Sequence, residues 1–294
     1  MKYPSFLIAC CFLIPSLLRA QDQNIRDYLD AYIGTNAEPY IQPLADLFTS
    51  NINTGVWDWS QDRKGFYFRL KAQAIVSYPT EHMRTFQGKT TGDFRPAQTV
   101  TVPTVIGDNT AVVLQGEDTT FFIFPGGYEL KRLTLGTPQV TIGGFLHSEV
   151  SGRFLSFSLG KDLGKVNFLG IGARHFITDY FEDAPLDFSI GYFYHHIEAA
   201  QYLDSDQHLW TASIGKAIKN ISGQFTLGYQ TSATAVHYTY TDDDGPYDVN
   251  LSLENKNNWI GEVSVGLRLG YVFISSAVSY SNHVSISGAA GLSF

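Results

Sequence analysis

Apolar and polar residues alternate at every second position through most of this chain. In residues 66–78 the even positions are Phe66, Phe68, Leu70, Ala72, Ala74, Val76 and Tyr78, while the odd ones include Tyr67, Arg69, Lys71, Gln73 and Ser77. Successive side chains of a strand point to opposite faces, so the segment predicts a strand with one wholly apolar face and one face carrying two cations. The division recurs. Leu186, Phe188, Ile190, Tyr192 and Tyr194 oppose Asp187, Ser189 and Gly191; Phe225, Leu227 and Tyr229 oppose Gln224, Thr226 and Gln230. Val263, Val265, Leu267 and Leu269 oppose Glu262, Ser264 and Arg268, and Val272, Ile274, Val278 and Tyr280 oppose Ser275, Ser279 and Ser281.

Before position 60 the period is different. Ile25, Tyr28, Leu29, Tyr32 and Ile33 recur at helical spacing with Gly34 as a stop, and a second short helix is predicted from Pro39 through Leu44, Leu47 and Phe48. A soluble sandwich also alternates, so periodicity alone does not choose between a sandwich and a barrel. Three features favour a transmembrane barrel. Most segments exceed the ~5–6 residues of globular strands and reach the ~9–11 that cross a bilayer at a tilt. Aromatics stand at segment ends (Trp57, Trp59, Phe66, Tyr78), where girdles meet headgroups. Tight connections (161–164, Lys219-Asn220, Gly270) alternate with longer polar ones (201–207, 241–247), the habit of barrels with short periplasmic turns and long outer loops. The chain ends on an alternating segment, Val284, Ile286, Ala290, Leu292 and Phe294 against Ser285, Ser287 and Ser293. A last strand closing on Phe294, with Leu292 two residues before it, resembles the signal read by the barrel assembly machinery. Turn counting predicts an all-β, antiparallel transmembrane barrel of about twelve strands, range 10–14, with residues 80–137 ambiguous because Pro103, Pro125 and Gly126-Gly127 interrupt short strand-like runs.

The first twenty residues change the compartment. Lys2 precedes an almost unbroken apolar run over 6–18, and Ala20 stands before Gln21, the layout of a cleaved signal peptide. A membrane anchor is the rival, but the run is shorter than the ~20 residues a spanning helix needs, and Pro15 interrupts it. A lipoprotein box at Leu7-Ile8-Ala9-Cys10 would strand apolar residues 11–14 on the mature chain. Both cysteines, Cys10 and Cys11, fall inside this segment, so the mature chain has no thiol chemistry. The expected organisation is a signal peptide at 1–20, a helical plug or cap at 21–60 and a barrel at 61–294, in the outer membrane of a Gram-negative bacterium. The formal charge is −8, and cleavage removes Lys2 and Arg19 to leave −10. An acidic chain repels nucleic acid and gains nothing from anionic lipid by itself. The barrel reading makes outer-membrane lipid and lipopolysaccharide and the assembly machinery the expected partners, and the helices that precede the strands point to a small hydrophobic ligand. Charged residues are only 16% while Tyr and Phe number 17 and 21, as lipid-facing strands require.

Few residues carry a motif. His195-His196 is the one histidine pair, and neighbours on a strand cannot chelate one ion together; no carboxylate–histidine cluster accompanies it, so no metal and no cofactor is expected. Asp242-Asp243-Asp244-Gly245 fails the calcium-loop spacing, because its first and twelfth positions fall on Tyr240 and Leu251. No Gly-x-Ser-x-Gly follows a strand, and the expectation is a protein that is not an enzyme, although a Ser-His pair on the outer face is an arrangement barrels can build. By parity Arg69, Lys71, Arg174, Asp187, Glu262 and Arg268 share the face opposite the lipid. They form either a salt-bridged interior filling a narrow barrel or a polar lumen gated by the N-terminal helices, for which Tyr40, Leu44 and Phe48 are the plug residues.

Five blocks carry a resemblance: Tyr40-Ile41-Gln42-Pro43-Leu44, Asn53-Thr54-Gly55-Val56-Trp57, residues 101–107, Phe124-Pro125-Gly126-Gly127 and residues 164–172. Their order and spacing resemble an uncharacterised, domain-of-unknown-function family of exported barrels, and more distantly the long-chain fatty-acid transporter (FadL-type) barrels, in which an N-terminal segment plugs the lumen. The resemblance implies porin-like passive transport or binding of small hydrophobic molecules, and it gives no residue a role. The alternative is a non-enzymatic accessory barrel whose segment 80–137 docks a secretion or surface partner.

Overall fold

The alternating segments fold into strands long enough to wrap into one closed wall. The structure, a computed structural model, describes residues 34–58, 65–92, 94–117, 120–158, 165–181, 184–199, 203–242 and 245–294. Ten antiparallel strands form the wall: β1 (Tyr67–Tyr78), β6 (Leu133–Phe145), β7 (Ser148–Ser158), β8 (Lys165–Phe176), β9 (Asp187–Ala199), β10 (Leu203–Ile218), β11 (Ile221–Asp242), β13 (Trp259–Leu269), β14 (Val272–Tyr280) and β15 (Val284–Ser293). Each pairs with its neighbour along the chain, and β1 pairs with both β6 and β15, which closes the ring. Closure leaves no open edge, the condition for a sheet to stand in lipid.

The parity read from the sequence is the parity of the wall. In β1, Arg69, Lys71, Gln73, Ile75 and Ser77 are buried, whereas Leu70 and Tyr78, and Phe66 just before the strand, lie on the outside. The outer surface is a belt of Phe188, Ile190, Phe225, Leu227, Val263, Val265, Ile274, Val278, Ile286 and their neighbours. The inner surface is serine, threonine and glutamine: Ser205, Gln207, Ser213, Gln224, Thr226, Ser232, Ser279, Ser285 and Ser287 are all buried. An apolar exterior around a polar interior is the reverse of a soluble sandwich and is the distribution of a membrane barrel. A row of ring contacts, Tyr192–Trp210 at 5.5 Å, Trp210–Tyr229 at 6.1 Å and Tyr229–Trp259 at 5.3 Å, runs across four strands of the belt. Phe294 is stacked on Tyr271 at 5.7 Å where β15 stops.

Ten strands, not about twelve, make the barrel. The reason lies in two places. Residues 80–132 do contain strands, but β2 (Thr85–Lys89) pairs only with β3 (Thr99–Pro103), and β4 (Val112–Gln115) only with β5 (Phe121–Phe124). They form two small hairpins at the end of the barrel where β1 stops, hereafter the capped end. The expected loops at 201–207 and 241–247 are largely strand: β10 begins at Leu203, and β11 runs past the wall to pair with β12 (Gly245–Glu254) as a projecting ribbon. Polar side chains misled the reading there because strands beyond the belt have no lipid to face. The turns at Lys219-Asn220 and Gly270 are where the sequence put them; residues 161–164 lie outside the described residues, as do Asp243 and Asp244.

Among the described residues one α-helix, α1 (Ala37–Asn53), precedes β1 and runs inside the wall. It is longer than the predicted second helix, and the predicted first helix at 24–33 lies outside the described residues, as does the segment 1–20. Its composition follows its surroundings. The first three turns carry Ala37, Tyr40, Ile41 and Leu47, which cluster with Met83, Val102, Val105, Ile106 and Phe124 of the cap. The second half carries Thr49, Ser50, Asn51 and Asn53, all buried against the polar wall.

Candidate functional site

The lumen and the segment that fills it form the site. After α1 the chain does not leave the barrel but continues through 54–58 along its axis, and polar groups of the helix end and of that stretch bond to the wall. Thr49 Oγ1 stands 3.2 Å from Ser232 Oγ, Asn51 Nδ2 donates to Ser77 Oγ at 2.8 Å, and Asn53 Nδ2 donates to Gln230 Oε1 at 3.1 Å. Thr54 Oγ1 meets Ser279 Oγ at 2.6 Å, the Gly55 amide donates to Glu262 Oε2 at 2.7 Å, and Trp57 Nε1 donates to Thr211 Oγ1 at 3.1 Å. Gln139 Nε2 donates to the Val56 carbonyl at 3.1 Å. A chain buried in a lumen needs these partners, because an unpaired buried amide or carbonyl costs ~1–3 kcal/mol.

Gly55 makes the threading possible. Its φ of +64° lies in the left-handed region, and a Cβ there would stand 2.5 Å from Ser287 Oγ. Two cations seize the carbonyls that the end of the helix leaves without partners. Arg153 donates to Ile52 O at 2.7 Å and Gly55 O at 3.0 Å, with its Nε on Gln139 Oε1 at 2.8 Å. Lys71 Nζ donates to Gly55 O at 2.9 Å and pairs with Asp58 Oδ2 at 2.6 Å. Positive charge at a helix C-terminus is favoured by the orphan carbonyls and the dipole, more so away from water. Asp58 also accepts from Ser275 Oγ at 2.7 Å.

A second charge cluster lies toward the end where β15 stops. Glu149 Oε1 pairs with Arg174 at 2.7 Å, while its Oε2 accepts from Tyr67 Oη at 2.5 Å and lies 3.5 Å from Arg69. Arg174 lies over the ring of Trp57 at 5.2 Å, a cation–π contact inside the barrel. Two small cavities stand among the described residues: one of about 40 Å³ beside Asp58, Arg69, Ser264 and Arg268, and another of about 10 Å³ beside Trp57 and Glu262. Both hold water at most.

Of the six polar candidates predicted for the lumen, Arg69, Lys71, Arg174 and Glu262 are buried inside it. Asp187 and Arg268 are half-buried at the mouth, where Arg268 Nε donates to Gly270 O at 2.9 Å. Tyr40 is buried and donates to Gly126 O at 3.0 Å, and Leu44 and Phe48 pack against the cap and the wall. Phe294 closes the ring through reciprocal backbone bonds with Phe68 at 2.9 and 3.0 Å, and Leu292 is half-buried beside it. The sequence reading passed over Glu149, Arg153 and Asp58. The first two are legible, since Glu149, Ser151 and Arg153 alternate with Val150 and Phe154; Asp58 has no periodicity to reveal it. Trp57, assigned to a girdle, is instead buried in the lumen against Phe193 at 5.4 Å, since it belongs to the threaded segment and not to a strand.

The histidine pair divides as strand geometry requires. His195 is buried between the rings of Phe168 and Phe193, and His196 points outward. No carboxylate–histidine cluster is visible along the sequence, yet the β9–β10 register builds one from His196, Glu198, Asp204 and Asp206. Each strand supplies its pair at alternate positions, His-x-Glu and Asp-x-Asp, and that spacing was the available signal. Ser148 Oγ and His175 Nδ1 also meet at 2.8 Å on the outer face, but no acid orients the far nitrogen of His175 among the described residues.

No curated protein matches the chain. Among solved structures it is similar to Ail, the attachment invasion locus protein of Yersinia pestis, at 9% identity and a TM-score of 0.29, covering 79% of this chain and 99% of that one. It is similar to the outer membrane protease OmpT from Escherichia coli at 8% identity and 0.32, covering 81% and 98%, and to the P. putida toluene transporter TodX at 8% and 0.26, covering 88% and 71%. At these similarities none of the three lends a role to any residue here. Residues 1–294 match the family of unknown function DUF6588, and the chain belongs to that family.

Proposed function

We propose that this chain is an outer-membrane barrel, exported by residues 1–20, that binds small hydrophobic molecules or passes them when its plug shifts, without enzymatic chemistry. The observation that carries the reading is the filling of the lumen by α1 and residues 54–58, a tethered segment held through hydrogen bonds and ion pairs. A wall built only for structure fills a narrow lumen with its own side chains; a removable segment suits a gate. The apolar cluster where Tyr40, Ile41 and Leu47 meet the cap is buried, and displacement of the plug would open it to an apolar molecule. Small-ligand sites occupy ~300–1,000 Å³, far more than the 40 Å³ cavity, so passage requires displacement of the plug.

The test begins with heat-modifiability of the protein in outer-membrane fractions, where a faster unboiled band is expected of a closed barrel. Proteoliposomes then carry wild type and an Asn51→Cys/Ser77→Cys pair. Uptake of a fluorescent hydrophobic probe by wild type, blocked in the oxidised pair and restored by reductant, is the expected result. No uptake by wild type, together with no lipid-like molecule in mass spectra of the purified barrel, overturns the reading.

A second reading, an accessory barrel that docks a partner, is favoured by one feature of the cap. Val113, Phe121 and Ile123 form an exposed apolar face on the β4–β5 hairpin. A stoichiometric partner retained in native membranes and lost on Phe121→Asp would support it.

A further inference from the structure

The geometry points to a second site, a divalent-cation site of zinc type on the outer face of the β9–β10 hairpin, with His196, Glu198 and Asp204 as its protein ligands. The register sets Glu198 directly opposite Asp204 and His196 directly opposite Asp206. His195, Ile197, Ser205 and Gln207 are buried in the lumen, so the four residues between and beside them share the outer face. One donor atom from each of His196, Glu198 and Asp204 falls within 4.8 Å of the other two.

Two features mark this as more than a patch of acids. Carboxylates directly opposite each other destabilise a strand pair, and among the described residues neither Glu198 nor Asp204 is ion-paired to a lysine or arginine. A cation between them removes the conflict. The imidazole is also oriented for metal. His196 Nδ1 is 2.9 Å from Asp206 Oδ1, and the Tyr194 hydroxyl donates to the same oxygen. A carboxylate on one ring nitrogen fixes the tautomer and raises the donor strength of the other, the usual support of a metal-bound histidine. That other nitrogen, Nε2, faces Glu198 Oε1 at 3.3 Å. Tetrahedral zinc with bonds of ~2.0 Å separates its donors by ~3.3 Å, so this edge of the polyhedron is already formed. One imidazole with two carboxylates favours zinc over calcium or magnesium, which take all-oxygen shells. A fourth position opens to solvent. With Nδ1–H donated to Asp206, the lone pair of Nε2 takes the ion.

The location explains what such an ion does. The cluster stands four to six residues beyond the Tyr192–Trp210 rung of the aromatic row, toward the capped end. There, near the ends of β9 and β10 joined by residues 200–202, an ion clips the two strands together.

The test uses the full barrel in detergent, carrying no polyhistidine tag and stripped of metal, titrated calorimetrically with Zn²⁺ and spectroscopically with Co²⁺. One equivalent is expected, with a four-coordinate Co²⁺ absorption. His196→Ala and Asp204→Asn should each weaken binding at least 100-fold, and Asp206→Asn about 10–100-fold, while all three keep the heat-modifiability of a closed barrel. Absence of a saturable equivalent, binding unchanged in His196→Ala or Asp204→Asn, or Ca²⁺ or Mg²⁺ binding as tightly as Zn²⁺, each overturns the proposal.

Discussion

Lys71 on the wall and Asp58 on the threaded segment meet inside the barrel at 2.6 Å, both removed from solvent. The pair joins two parts of the chain whose relative position no local rule dictates. Losing one partner of a buried pair leaves a bare charge, at a cost of ~3–5 kcal/mol. Lys71→Met should therefore lower the unfolding temperature and raise probe leakage through the barrel. Asp58→Asn should do likewise, and the double variant should cost less than the two singles added. A double-variant cycle in thermal unfolding checks this; strict additivity would mean the ion pair does not hold the plug.

Gly55 offers a steric test. An alanine there meets Ser287 Oγ at 2.5 Å and must adopt φ of +64°, where an L side chain costs ~1–2 kcal/mol. Gly55→Ala should loosen the plug, and adding Ser287→Gly should recover the clash but not the backbone strain. Limited proteolysis within 34–58 reads the loosening; full resistance of Gly55→Ala would show that the path of the chain here is not constrained.

The wall has its own test. Val265 lies on the outer face midway along β13, between Trp259 and Leu269. A cation at mid-bilayer on the lipid face costs ~2–4 kcal/mol. Val265→Arg should reduce the folded, heat-modifiable fraction on insertion into bilayers, whereas Ser264→Thr on the inner face should not. Equal yields would place Val265 outside lipid.

His283, in the turn between β14 and β15 at the capped end, is buried, and burial together with nearby His82 holds its pKa down at about 4. The unfolded value is ~6.5. The folded protein thus refuses a proton that the unfolded chain accepts. The stability tied to this group is complete above pH ~6.5, falls as pH drops from there to about 4, and changes no further below. Thermal unfolding of wild type and His283→Leu across pH 7.5 to 4 should show a steeper fall for wild type. Parallel curves would mean that His283 takes its proton in the folded state as readily as in the unfolded one.

Which residues face lipid and which face inward was readable along the chain, as were the C-terminal strand and most of the inward cations. Alternation is a local property: in Arg69, Lys71 and Ser77 against Leu70 and Tyr78, two-residue periodicity assigns the faces whatever the partner strands are. The number of strands was not readable. Thr99–Pro103 and Phe121–Phe124 have the local pattern of wall strands, and only the pairing of β1 with β6 across residues 79–132 leaves them outside the ring. Trp57 and Asp58 were invisible for a related reason. An aromatic at the edge of a strand suits a girdle or a lumen equally well, and a single carboxylate outside any repeat acquires a partner only when the chain turns into the barrel. The His196–Glu198–Asp204 cluster exists only through the β9–β10 register. Local sequence determines the faces of each element because side-chain direction follows from backbone period; closure, the plug and the clustered charges are long-range pairings, decided when distant segments exclude water from the same space.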